Sequence, residues 1–136
     1  MKHYTQTILH DPENGRHGDC LRTVIGCLLE IDPLEIPHFG ERGKEWRAAL
    51  QEWLRPMGLC LLEIAYVKSV DRELAASSIH GCYHMISGPS PRSTEDELLH
   101  CVVGKDGLVE HDPMPGSAGL SGSASEWIMG FIVKLN

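Results

Sequence analysis

Apolar positions in the first third of the chain follow a helical rhythm. Leu21, Val24, Ile25, Leu28 and Leu29 have the i, i+3, i+4, i+7, i+8 spacing of a buried stripe. Asp19 precedes them as a capping residue, so the pattern predicts an amphipathic helix opening at Cys20. Ahead of it, residues 4–9 read as a short extended start, and residues 11–18 (Asp-Pro-Glu-Asn-Gly-Arg-His-Gly) are a run of turn formers. Asp32-Pro33 predicts one helical turn. A longer helix is expected from about residue 43 to 55, with Trp46, Leu50, Trp53 and Leu54 on one face and Pro56 and Gly58 ending it.

Beyond Gly58 the pattern changes to short apolar runs. Residues 59–67 and 82–87 read as strands, with a weak helical turn over 71–77 between them, and residues 88–93 (Gly-Pro-Ser-Pro-Arg-Ser) form a stiff polar loop. Residues 98–103 and 108–111 read as the arms of a hairpin. Residues 116–125 are Gly/Ser-rich and are expected to be mobile. The alternation of Trp127, Met129, Phe131, Val133 and Leu135 predicts a closing strand with one apolar face. Helices followed by closely connected strands predict a single α+β domain over residues 1–136, with an antiparallel sheet.

Composition narrows the function classes. A chain of 136 residues, 42% hydrophobic and 23% charged, is long enough for one core, and a net charge of −7 argues against a nucleic-acid partner. The five cysteines, at 20, 27, 60, 82 and 101, are odd in number and include no Cys-x-x-Cys, which predicts free thiols in a reducing compartment. No signal-like segment or membrane-length apolar run is visible. A cytoplasmic protein without a membrane partner is expected.

The chemistry-bearing residues are Cys20, His100 and Asp112, in the order that a thiol hydrolase needs. A cysteine at a helix start meets free N–H groups and the positive end of the helix dipole, which favour its thiolate. Whether His100 meets Asp112 depends on the turn Lys105-Asp106-Gly107. A three-residue loop, with Gly107 at positive φ, sets His100 directly opposite Asp112. A two-residue turn with no other bulge in either arm puts Asp112 on the other face. His80, Cys82 and His84 alternate onto one strand face, but no second ligand pair has zinc-like spacing, so no metal or other cofactor is expected. Trp46 and Trp53 read as core. Arg92, on the stiff loop with Gly88, could line a substrate cleft and bind an acidic group.

Several segments together carry a resemblance: Gln6-Thr7-Ile8, Gly18-Asp19-Cys20, Leu28-Leu29-Glu30, residues 33–39, residues 87–92, His100-Cys101-Val102-Val103 and His111-Asp112-Pro113. They resemble small papain-like proteins of phages and bacteria and, more distantly, the bacteriocin-leader (double-glycine) peptidase-like branch of the papain-like cysteine hydrolases. The resemblance implies a helix carrying Cys20 packed on an antiparallel sheet carrying His100 and Asp112. Cys20 would be the nucleophile, His100 the base and Asp112 its orienting partner. The Cys20 N–H and an upstream amide would form the oxyanion hole. Asn14 lies six residues before Cys20 and Gln6 fourteen before; Gln6 is favoured, because Asn14-Gly15 reads as a turn. The implied activity is a peptidase, isopeptidase or amidase working through a thioester on a peptide, isopeptide or small amide. The alternative is an inactive papain-fold binding module, such as a phage counter-defence factor in the host cytoplasm that binds a small molecule or a host protein.

Overall fold

The computed structural model of the chain describes residues 1–65, 77–92 and 99–136. Two α-helices, α1 (Cys20–Leu29) and α2 (Trp46–Leu54), precede five strands: β1 (Leu59–Ala65), β2 (Tyr83–Pro89), β3 (Leu99–Lys105), β4 (Leu108–His111) and β5 (Ile128–Lys134). The sheet order is β1-β5-β2-β3-β4, and every pairing is antiparallel. The chain is therefore α+β, as its patterning predicts. The expected end of the first strand at residues 66–67 and most of the expected turn over 71–77 lie outside the described residues.

Helix α1 forms where its apolar stripe predicts and buries Leu21, Val24, Ile25 and Cys27. Helix α2 starts at Trp46 rather than near residue 43. Gly43 adopts φ 53° and ψ −128°, a conformation foreign to an α-helix, so residues 39–45 form 3-10 turns instead. Leu50 and Leu54 on α2 are fully buried, and replacing either by Ala would cost about 2–5 kcal/mol. The Gln51 side chain accepts from Leu61 N–H (3.0 Å) and donates to Leu61 O (2.7 Å). It thereby occupies backbone groups on the free side of β1, an edge strand.

Both helices lie against one face of the sheet. The core there joins α1 and α2 to Leu61, Met85, Cys101 and Val103, with Trp46 and Trp53 packed at its margin. Trp53 meets Phe39 edge to face, and Arg47 covers Trp46. The other face buries His84, Ile86, Val102 and Met129. β5 is accordingly apolar on both sides, not on one: Met129 pairs with Ile86, whereas Ile132 pairs with Leu61 and joins the helix-side core.

Two expected loops have more structure than their composition predicts. β2 extends through Gly88 and Pro89, with Gly88 paired to His100. A Cβ on Gly88 would stand 2.6 Å from Trp127 Cδ1, so the missing side chain makes room for the indole beside His100. The Gly/Ser-rich segment is pinned, contrary to the mobility expected of it. Ser121 N–H donates to Pro89 O (3.0 Å), Trp127 Nε1–H donates to Ser121 O (2.9 Å), and Ser123 with Glu126 forms a capping box. The expected extended start is irregular, and residues 12–14 make a 3-10 turn.

Candidate active site

The site forms where α1 begins against β3. Asp19 occupies the cap position, but its side chain does not cap the helix. Instead the buried carboxylate accepts from Thr7 N–H (3.1 Å), Thr7 Oγ1–H (3.0 Å) and Ile8 N–H (2.9 Å), and pairs with Arg22 (3.0 Å). Asp19 N–H also donates to Ile8 O (3.0 Å). One carboxylate thus ties residues 7 and 8 to the start of α1, and Arg22 compensates its charge. Cys20, the next residue, is half-buried and packs against the helix-side core.

The hairpin that carries His100 and Asp112 differs from the three-residue form the catalytic reading required. Lys105 pairs with Leu108, so the loop has two residues, and Asp106 (φ 54°) and Gly107 (φ 79°) both have the positive φ of a type I′ turn. That register alone would turn Asp112 away from His100. Gly104 then pairs with Val109 and Val103 with His111, leaving Glu110 as an extra residue. This β-bulge shifts the register by one and returns Asp112 to the face of His100, as a diagonal rather than a directly opposite neighbour.

His100 Nε2–H donates to Asp112 Oδ1 at 2.8 Å, and both side chains are nearly inaccessible to water. Asp112 also accepts from Met114 N–H (2.9 Å) and Gly119 N–H (2.8 Å). Burial raises the Asp112 pKa, but these partners, His100 foremost, hold it below the ordinary carboxylate value. With Nε2 committed, Nδ1 is the ring nitrogen left for the thiol. β4 ends at His111, so Leu99–Val102 have no β4 partner, and the N-terminal segment closes around this end of the hairpin. There His111 Nε2–H donates to Tyr4 O (2.7 Å) and Gln6 N–H donates to Pro113 O (2.9 Å).

The Cys20 thiol lies close enough to Cys101 and to the His100 ring for both to shift its titration. The Cys101 contact is the main influence lowering its pKa; together with the bond to His100 and that ring's positive charge, it outweighs burial and holds the Cys20 thiol well below its ordinary range. Cys101 responds in the opposite direction, pushed well above its ordinary range by the Cys20 sulfur and by its own burial. Burial alone would lower the His100 pKa, but the Cys20 and Asp112 charges raise it. The arrangement can hold a thiolate beside an imidazolium, with a carboxylate behind the ring.

The other expected site residues differ in their placement. Gln6 is buried; its Nε2 donates to Ile8 O (3.0 Å), and its Oε1 has no protein partner. Asn14 is exposed, and its amide donates to Asp11 (2.7 Å), so nothing brings it to the thiol. Gly88 lies inside β2 rather than on a loop, and Arg92 is exposed. A surface hollow of about 540 Å³ borders Thr7, Ile8, Arg16 and Glu41 but includes neither Cys20 nor His100 in its lining. Sequence reasoning missed Cys101, Gly119 and the clamping role of Asp19. For Asp19 a signal existed in Arg22, three residues on along the helix, whereas nothing marked Gly119. No protein-family profile, curated protein or solved structure matches the chain.

Proposed function

We propose that the protein is a cysteine-dependent hydrolase of amide, peptide or isopeptide bonds, with a papain-like arrangement of helix and sheet. The observation that carries this reading is the convergence of Cys20 with a buried histidine whose far nitrogen is bound to a buried carboxylate. A thiolate already paired with an imidazolium needs no further activation before attack.

In the proposed cycle the Cys20 thiolate adds to the substrate carbonyl carbon, whose oxygen takes the negative charge. The Cys20 N–H, at the positive end of α1, and the Gln6 amide stabilise that oxygen. Collapse breaks the C–N bond, and His100 gives its proton to the departing amine. Neutral His100 then takes a proton from water as the water attacks the thioester, releasing the acid and restoring the thiolate. Asp112 orients the ring throughout. Five free cysteines suit a reducing compartment, so we assign the activity to the cytoplasm.

Turnover of p-nitrophenyl acetate and of coumarin-amide peptides tests the reading, with mass spectrometry locating the acyl group. We expect acylation at Cys20 and a loss of about 10³-fold or more in Cys20→Ala. Full turnover by Cys20→Ala would overturn it. Stoichiometric ligand binding that survives Cys20→Ser, without turnover of any amide, would replace the hydrolase with a binding module.

A further inference from the structure

The proposed cycle uses only one of the two thiols that meet at the site. We propose that Cys101 is a resolving cysteine: when a hydroperoxide oxidises Cys20, Cys101 closes a Cys20–Cys101 disulfide that shields the nucleophile reversibly. Cys101 lies on β3 beside His100 and belongs to the core cluster against which Cys20 packs. Its sulfur lies 3.3 Å from Ser87 Oγ, and its thiol and that of Cys20 are near enough to shift each other's titration. When Cys101 donates its S–H to the Cys20 thiolate, Ser87 O–H is free to donate to Cys101, forming a chain of three side chains. A cysteine kept only for packing would need neither partner.

The other thiols are placed differently. Cys27 accepts from Tyr4 N–H (3.3 Å), Cys60 lies on edge strand β1, and Cys82 is exposed just before β2. Cys20 is half-buried and so open to a small oxidant, while Cys101 is buried behind it.

The chemistry balances. The Cys20 thiolate attacks one peroxide oxygen, the O–O bond breaks, and an alcohol or water leaves with a proton, giving a sulfenic acid. Cys101 sulfur then attacks the Cys20 sulfur; the S–S bond forms, the S–O bond breaks, and hydroxide leaves as water with the Cys101 proton. In sum, two thiols and one hydroperoxide give one disulfide, one alcohol or water molecule, and one water. The order of events is built in. While Cys20 is a thiolate, its hydrogen bond and charge, together with burial, hold Cys101 protonated; oxidation to the neutral sulfenic acid removes the two Cys20 contributions and favours attack by Cys101.

The test treats the full chain with hydrogen peroxide and follows intact mass, free thiols and a non-reducing peptide map. Wild type should lose two hydrogens in mass, fall from five free thiols to three, yield a single linked pair of peptides containing Cys20 and Cys101, and regain its thiols in dithiothreitol. Cys101→Ser should instead give a dimedone-reactive sulfenic acid at Cys20 that proceeds to the sulfinic acid, which dithiothreitol does not reverse. Wild type that accumulates sulfinic acid at Cys20 as fast as Cys101→Ser, or that links Cys20 to another cysteine, would overturn the proposal. The wild-type map stands alone if the variant fails to fold. These readouts are masses and thiols, so the proposal can fail or hold independently of hydrolysis.

Discussion

His84 and His100 sit on neighbouring strands, β2 and β3, and both are almost fully buried, yet their environments push them in opposite directions. His84 Nδ1–H donates to Cys82 O (3.1 Å), its ring stacks on Phe131 with centroids 4.8 Å apart, and Nε2 has no partner. Burial therefore lowers its pKa and keeps the ring neutral. His100 experiences the same burial, but the Cys20 sulfur and the Asp112 carboxylate raise its pKa. Burial alone makes a histidine a core residue. A carboxylate on one nitrogen and a thiol near the other raise its pKa, which is what the proposed cycle needs of a proton carrier.

Four changes would break or sharpen this contrast. The largest effect should come from His100→Ala, which removes the positive partner of Cys20. Turnover should fall about 10²–10⁴-fold, and alkylation of Cys20 at pH 7 should slow about tenfold or more as the thiol returns toward its ordinary range. Deleting Glu110 should come next. Without the bulge Asp112 turns to the other face, so turnover should fall about 10²-fold, and the His100 ring, followed by NMR, should titrate lower than in the wild type, with only the Cys20 contribution left to oppose burial. Unchanged titration after this deletion would show that the bulge does not set the pair.

Asp112→Asn keeps the shape and removes the charge. We expect about a tenfold or larger loss of turnover and about 1–3 kcal/mol of destabilisation in chemical unfolding at pH 7. The folded-state pKa of Asp112 is depressed, so its contribution to stability is fully present above the ordinary value of 3.8 and is lost as pH falls through the folded value. The acid side of the stability curve should therefore flatten in the variant. The smallest effect belongs to His84→Leu. Its folded pKa lies below 6.5, so the unfolded chain takes up the proton first, and wild-type stability falls as pH drops from 6.5 toward the folded value. In His84→Leu thermal melts should lose that component while Cys20 alkylation stays unchanged.

Much of this was legible in the residues. The helical stripe from Leu21 to Leu29 and the turn chemistry of Asp106-Gly107 are local signals, and α1 and the hairpin arms form where those signals point. The His100–Asp112 pair was anticipated, but through the wrong device. A three-residue loop and a two-residue turn followed by a bulge both restore the same facing, and nothing in Val109-Glu110-His111 announces which is used. Composition misled at the Gly/Ser-rich segment, because the groups that pin it (Asp112 for Gly119, Pro89 for Ser121) lie outside the segment itself. Cys101 was invisible for a related reason. Strand alternation sends neighbours to opposite faces, so a reading centred on His100 does not look for a partner of Cys20 at the next residue.

The most direct measurement of the central claim is the rate of iodoacetamide modification of each of the five cysteines between pH 5 and 10, mapped by mass spectrometry. The account predicts that Cys20 reacts first, with a midpoint well below the ordinary thiol value of about 8.5, and that His100→Ala moves this midpoint upward. Labelling of Cys20 no faster than that of exposed Cys82, with an ordinary midpoint that His100→Ala leaves in place, would contradict it.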